Sequence, residues 1–95
     1  MEKFMTSVRF KVKEGESEEF IKRSKEIGKY KQAIDNFTFQ TSEKTFCFVG
    51  IFENELAIID ARSHMISTLD KIRNFLEIIF KDLGVIDPVS GLTID

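Results

Sequence analysis

Three side chains in this sequence, those of His64, Arg62 and Tyr30, could take part in acid–base or anion-binding chemistry at one site. His64 is the only histidine, and in a helical stretch it could act as a base or as an axial haem ligand. Asp60, four residues earlier, could orient its ring. Arg62 could hold an anionic group, and Tyr30 is the only tyrosine. The alternative is that His64 and Arg62 are ordinary surface residues of a helix.

The number of phenylalanines predicts either an apolar pocket or simply a large core. The chain contains ten phenylalanines and no tryptophan. Such rings could line a pocket for a flat, apolar ligand, and we expect the lining to include Phe10, Phe37, Phe48, Phe52 and Met65. Aromatic residues at strand spacing also fill ordinary cores, so the core alternative stays open.

Two other side chains that could be functional, those of Cys47 and Arg9, are predicted to be structural. Cys47 alternates with phenylalanines, so it is expected to be buried and unreactive, since a reactive thiolate needs an electropositive and partly exposed setting. Arg9 lies on the strand face opposite Val8 and Phe10, and burial in an interface would require a carboxylate partner. No metal-ligand spacing, phosphate-binding loop or nucleophile elbow appears, so we expect neither a metal nor a cofactor.

Composition limits the partners and the setting. Fourteen Lys and Arg residues are mixed with 16 Asp and Glu residues, for a net charge of −2. Because nucleic-acid binding would require a clustered basic stripe, we expect no nucleic-acid partner. The longest apolar runs are too short to cross a bilayer, and the beginning of the sequence lacks a signal-peptide layout. A single cysteine fits a reducing, cytoplasmic setting. The length predicts one domain spanning residues 1–95.

Hydrophobic periodicity predicts four strands and two helices. Strands are expected at residues 3–12, 34–40, 45–53 and 86–94. The first helix is expected to begin at Ser17 as its N-cap and to end at Gly28. Pro88 cannot donate to a sheet ladder, so the last strand is expected at an edge or with a bulge.

The second helix is predicted to be capped by Asn54 and to end at Gly84. Its apolar stripe has spacings of three and four, apart from one gap: Leu56, Ile59, Ile66, Leu69, Ile72, Leu76, Ile79 and Leu83. The gap falls at Arg62 and Ser63. It predicts a kink or a fresh helix start there, with Ser63 as a second cap.

The order strand–helix–strand–strand–helix–strand predicts a ferredoxin-like α+β fold, βαββαβ. The third predicted strand is apolar on both faces: Phe46, Phe48 and Phe52 point one way, and Cys47, Val49 and Ile51 the other. One face can pack on the helices, but the chain has nothing left to cover the second. A second copy of the chain, bound through this sheet face, is the economical cover. Gly50 predicts a bulge or a close approach in this strand.

Several segments together resemble a known superfamily. The strand from Phe46 to Glu53, the segment from Ala61 to Ile66, and the closing Asp87-Pro88-Val89-Ser90-Gly91 resemble the dimeric α/β-barrel superfamily, close to its antibiotic-biosynthesis-monooxygenase-like members of uncharacterised function. The resemblance implies a homodimeric barrel of two facing sheets, with a pocket between sheet and helices in each subunit. The chain departs from the catalytic members, since it lacks the tryptophan on which the aromatic monooxygenases and the related haem-degrading enzymes rely.

These observations favour a binding protein for a small apolar or aromatic molecule. A cofactor-independent monooxygenase acting on an aromatic substrate is the first alternative, with Tyr30, His64 and Arg62 as its candidate residues. Haem binding through His64 is the second alternative.

Overall fold

A computed structural model gives the structure of residues 3–77 and 86–94, with no account of the side chain of Ile86. The chain forms strands and helices in the predicted alternation, with one additional short strand. The elements are β1 (Phe4–Val12), α1 (Ser17–Ile27), β2 (Asp35–Gln40), β3 (Thr45–Phe52), α2 (Glu55–Ile72), a 3₁₀ turn (Arg73–Phe75), β4 (Leu76–Glu77) and β5 (Ile86–Leu92). The ferredoxin-like α+β fold is thereby confirmed.

The strands form one antiparallel sheet. β3 lies between β2 and β1, while the other side of β1 pairs with β4 at its end and with β5 along most of its length. Pro88 lies opposite Val8 in β5, whose described pairings are all with β1. The predicted edge position of this proline is therefore confirmed, because β5 needs no N–H from residue 88 on its open side.

The two faces of the sheet differ in their cover, and we name them for it. The helix-covered face carries Val8, Phe10 and Val12 of β1 together with the phenylalanines of β3. The open face carries the alternate residues, among them Cys47, Val49 and Ile51 of β3 and Phe37 and Phe39 of β2, as the strand register requires. β3 is thus apolar on both faces, as predicted.

Two apolar clusters hold the helices on the sheet. The first joins Phe10, Val12 and Phe46 to Phe20 of α1 and Ile72 of α2, with the Phe20 ring 4.7 Å from that of Phe46. The second joins Phe52 to Ile58 and Ala61 of α2. Burying one such large apolar side chain contributes about 1.5–3 kcal/mol to stability, so Phe20 and Phe52, both essentially inaccessible to solvent, are principal anchors.

The predicted kink in the second helix is wrong. α2 runs unbroken from Glu55 to Ile72, because the first half of its buried stripe is formed by Ile58 and Ala61 rather than by the predicted Leu56 and Ile59. Ala61 is fully buried and continues the stripe from Ile58 across the supposed gap, whereas Leu56 is 70% exposed. Asn54 does cap this helix, with Oδ1 accepting a hydrogen bond from Ala57 N at 3.0 Å.

Of the three helix ends predicted from glycine or serine signals, only the end of α1 at Gly28 agrees with the structure. α2 ends at Ile72 and gives way to a 3₁₀ turn and β4, while Gly84 lies outside the described residues. In α1 the cap position is Glu16, and Ser17 Oγ instead donates to Glu43 O at 2.7 Å. Gly28 ends α1 as predicted and has a positive φ of 72°, a conformation that glycine adopts without strain.

On the open face, Arg9 finds the carboxylate partner that the sequence required. Its guanidinium binds Asp87 of β5, with Nε donating to Oδ2 at 2.6 Å, directly across the β1–β5 pair.

No helix in the described part of the chain has the length and apolar character needed to cross a bilayer.

Candidate functional site

A cavity of about 580 Å³ lies between the helix-covered face and the two helices. Its volume falls within the range of small-molecule pockets. The register of the sheet explains where it opens. One row across four strands consists of Ser90, Thr6, Gly50 and Asn36, which lie side by side. Ser90, Thr6 and Asn36 of this row line the cavity, between the two apolar clusters that hold the helices at its ends.

Gly50 belongs to this row because neighbouring rings occupy its space. A Cβ at residue 50 would lie 2.9 Å from the ring of Phe52, too close for a real contact, and 3.4 Å from that of Phe48, an ordinary van der Waals contact. The close approach predicted for this glycine is confirmed. The two rings therefore fold over the strand at the floor of the cavity.

The structure brings together most of the residues expected in the pocket. Phe10, Phe48 and Met65 line the cavity. Phe52 lies beneath them, fully buried in the second apolar cluster. Phe37 points to the open face and is 46% exposed, because it alternates with the cavity-lining Asn36 and Thr38 along β2.

Tyr30 is the most confined of the three candidate catalytic residues. It lies in the segment between α1 and β2, is 7% exposed and lines the cavity. Its ring meets His64 edge-on at 4.7 Å and Phe48 at 5.8 Å. The backbone N of Tyr30 donates to Asn36 Oδ1 at 2.9 Å, which ties this segment to β2.

Burial raises the pKa of the Tyr30 hydroxyl above its ordinary value of 10.0, because the phenolate loses solvation; a hydrogen bond with the Thr68 side chain acts in the opposite direction. Tyr30 is therefore a neutral phenol at physiological pH. In that state it can donate a hydrogen bond to a bound molecule, but it is poorly suited to remove a proton from one.

Arg62 and His64 occupy the exposed side of α2. Arg62 lines the cavity together with Glu55, so the two opposite charges share that side of the opening. His64 is exposed and is not among the cavity residues. Its ring contacts the Tyr30 ring edge-on. No hydrogen bond joins His64 to Asp60 within the described residues. The three candidates thus form a Tyr30–His64 contact with Arg62 nearby, rather than a convergent triad.

Sequence reasoning placed none of the polar residues Asn36, Thr6 and Ser90 in the cavity, although Asn36 was an unaligned candidate for a functional asparagine. Asn36 is 5% exposed, and the hydroxyls of Thr6 and Ser90 are hydrogen-bonded at 2.8 Å. A signal was available in β2, because Asn36 and Thr38 alternate with Phe37 and Phe39 and must share the face opposite to those rings. The partnership of Thr6 with Ser90 depends on long-range strand register and had no local signal.

Metal ligands are not clustered in the described residues. No group of three or more His, Cys, Asp or Glu side chains there is placed to hold a metal ion. The arrangement instead combines an apolar chamber with a few hydroxyl and amide groups. Such a chamber can bind and orient an apolar molecule that carries a small number of polar groups.

Comparison with known proteins adds information on the fold. No protein-family model and no curated protein matches the sequence. Among solved structures, a dimeric ferredoxin-like protein from an uncultured marine organism has a TM-score of 0.73 at 15% identity, covering 100% of this chain and 90% of its own.

Several of the similar structures carry enzyme descriptions. A Chloroflexus aurantiacus protein, provisionally described as an antibiotic biosynthesis monooxygenase, has a TM-score of 0.73 at 6% identity, covering 98% of this chain and 94% of its own. The cofactor-independent oxygenase SnoaB from Streptomyces nogalater has a TM-score of 0.61 at 10% identity, covering 98% and 92%.

The chain has the ferredoxin-like fold of these proteins. The resemblance recognised in the sequence is confirmed at the level of fold. Identities this low do not transfer an activity, because one fold supports many functions.

The shifted pKa of Tyr30 gives a direct test of the site. Because burial raises this pKa and Thr68 lowers it, Thr68→Val should move the ionisation of the single tyrosine to still higher pH. Its absorbance near 295 nm, followed during alkaline titration, measures this. Folding stability should fall as pH rises from the unfolded-state pKa through the higher folded-state pKa, since the folded chain holds the proton more tightly.

The adjacent Ser67→Ala is the matched control, because Ser67 is exposed on the same helix and should leave the titration unchanged. An ionisation of folded wild-type Tyr30 at or below that of the urea-unfolded chain would contradict the burial described here.

Proposed function

We propose that this protein binds a small apolar or aromatic molecule in the cavity between the helix-covered face and the helices. The observation that carries the proposal is the chamber of about 580 Å³, which lies between the two apolar clusters. The floor and walls are formed chiefly by apolar residues such as Val8, Phe48 and Met65, which favour an apolar guest.

N-Phenyl-1-naphthylamine, a neutral dye that fluoresces in apolar surroundings, tests this proposal. Wild-type protein should bind it saturably with a blue-shifted emission. Thr38→Trp should weaken binding at least about tenfold, or about 1.4 kcal/mol, because Thr38 lines the cavity and a larger ring there occupies the guest's space. An aromatic residue is compatible with a strand position, so the variant should still fold.

Leu56→Trp provides the matched control, since Leu56 is exposed on α2 and lies outside the cavity lining. Equal weakening by both variants, or the absence of saturable binding to wild-type protein, would refute the binding proposal.

A cofactor-independent monooxygenase is the second candidate function. It is supported by the protonated phenol of Tyr30 inside the cavity and by the fold shared with an oxygenase of that kind. In this scheme an electron-rich aromatic substrate would supply the electrons for dioxygen, while the protein excludes water and orients the substrate through Tyr30. His64 would act through its contact with the Tyr30 ring. Haem binding through His64 gains no support, because His64 does not line the cavity.

Oxygen uptake with substituted hydroquinones tests the oxygenase candidate. Tyr30→Phe should lower turnover about a hundredfold or more, the usual range for a positioned proton donor, and His64→Ala should lower it less. Ser67→Ala should retain full activity. Uptake no faster than that of buffer alone, or equal uptake in wild type and Tyr30→Phe, would exclude this role for Tyr30.

We also propose that two copies pair through the open face. Val49 and Ile51 lie at its centre on β3, with Phe37 and Phe39 half-exposed beside them on β2. Such a face costs free energy when left in water, and the ferredoxin-like relative described as dimeric supports a symmetric pair. Val8 and Phe10 remain available to the cavity, because they occupy the other face.

Native mass spectrometry of Val49→Glu tests the pairing. Wild type should be a dimer, and Val49→Glu a folded monomer, because the new carboxylate would be buried without a partner. Leu56→Glu, on exposed helix surface, should stay dimeric. A monomeric wild type at micromolar concentration, or a dimeric Val49→Glu, would contradict pairing through this face.

A further inference from the structure

A second, shallower groove of about 340 Å³ runs between α1 and the edge strand β2. It lies beside the main cavity, and the two share five lining residues: Phe20, Ser24, Gly28, Asn36 and Thr38. Three of these are small or lack a side chain. Gly28 leaves open space, since a Cβ there would meet no atom within 4 Å. The partition between cavity and groove is therefore thin at Ser24, Gly28 and Thr38.

Two lysines line the groove. Among the described residues, Lys25 and Lys29 are its charged lining residues, and both are exposed. Lys29 donates to Asp35 Oδ1 at 2.7 Å and to the carbonyl of Asn36, and its ammonium lies 5.4 Å from the centre of the Phe37 ring. Lys25 makes no ion pair with any described residue. One cation is thus held at the β2 side of the groove, and the other is open to a partner.

The opposite side of the main cavity differs in charge. There Arg62 shares the lining with Glu55, so an anion would meet a carboxylate as well as a guanidinium. A negative charge placed inside the apolar chamber itself would lose its hydration without a compensating cation. The groove also holds a carboxylate beside one of its cations, since Asp35 binds Lys29. Its other cation, Lys25, is exposed and makes no ion pair with a described residue, so it can bind an anion.

We propose that the ligand of this protein is an organic anion whose apolar body fills the main cavity and whose carboxylate or sulfonate reaches past Ser24 and Gly28 to Lys25 and Lys29. This inference rests on the proposed function, and it specifies the class of ligand. Electrostatic attraction by two partly solvated lysines adds affinity and selects anionic over neutral ligands of the same shape.

Two dyes that differ by one charged group test the inference. 1-Anilinonaphthalene-8-sulfonate carries a sulfonate on the ring framework of N-phenyl-1-naphthylamine, which is neutral. In the double variant Lys25→Gln/Lys29→Gln, the Kd of the sulfonate dye should rise about tenfold, as expected for two charge contacts near a protein surface. The Kd of the neutral dye should change less than twofold. Added salt should weaken the binding of the sulfonate dye and leave that of the neutral dye unchanged.

Control variants assign the effect to the groove. Lys13→Gln/Lys71→Gln removes the same charge from exposed lysines outside both linings and should leave both dyes unaffected. A sulfonate affinity that survives Lys25→Gln/Lys29→Gln, or that is instead lost in Arg62→Gln, would overturn the inference while the binding proposal stands. Equal weakening of both dyes in the groove variant would also overturn it. If neither dye binds wild-type protein, the proposed function itself fails.

Discussion

The rest of the structure depends on a central strand that is apolar on both faces. β3 pairs with β1 on one side and β2 on the other, so its side chains occupy the middle of both sheet surfaces. One surface is covered by α1 and α2 through Phe46 and Phe52. The other carries Val49 and Ile51 and has no cover within the described chain. This one strand therefore has two consequences. Its helix-covered face must be filled by core side chains or a bound molecule, and its open face needs a partner.

The cavity arises from the order of residue sizes along the strands. Phe10 and Phe46 face each other near one end of the β1–β3 pair, and Phe4 and Phe52 near the other. Thr6 and Gly50 lie between them. Large rings therefore support the helices at the ends. In the middle Thr6 lines the cavity, while the rings of Phe48 and Phe52 cover Gly50. Tyr30 closes one side of this space because its segment is fastened to Asn36, and its buried hydroxyl is kept protonated by the apolar surroundings.

Much of this fold could be predicted from local patterns, because strand alternation and turn signals are short-range. The exception is α2, where Leu56 and Ile66 indicated the wrong stripe. A helix buries whichever face meets the sheet, and Ala61 fits closer to the sheet than a larger residue would. The site was less accessible to sequence reasoning. Its candidate residues His64 and Arg62 are exposed, while Thr6 and Ser90 meet across 84 residues through register that no local pattern encodes.

The central claim is that the two sheet faces have different tasks, the covered face binding a small molecule and the open face a second copy. Methyl-resolved NMR of protein saturated with N-phenyl-1-naphthylamine tests it most directly. Intermolecular NOEs from the dye should reach the methyls of Val8, Ile58 and Met65, while Val49 and Ile51 should show NOEs only to a differently labelled second copy of the chain. Dye NOEs to Val49 and Ile51, with none to Val8 or Met65, would contradict the account.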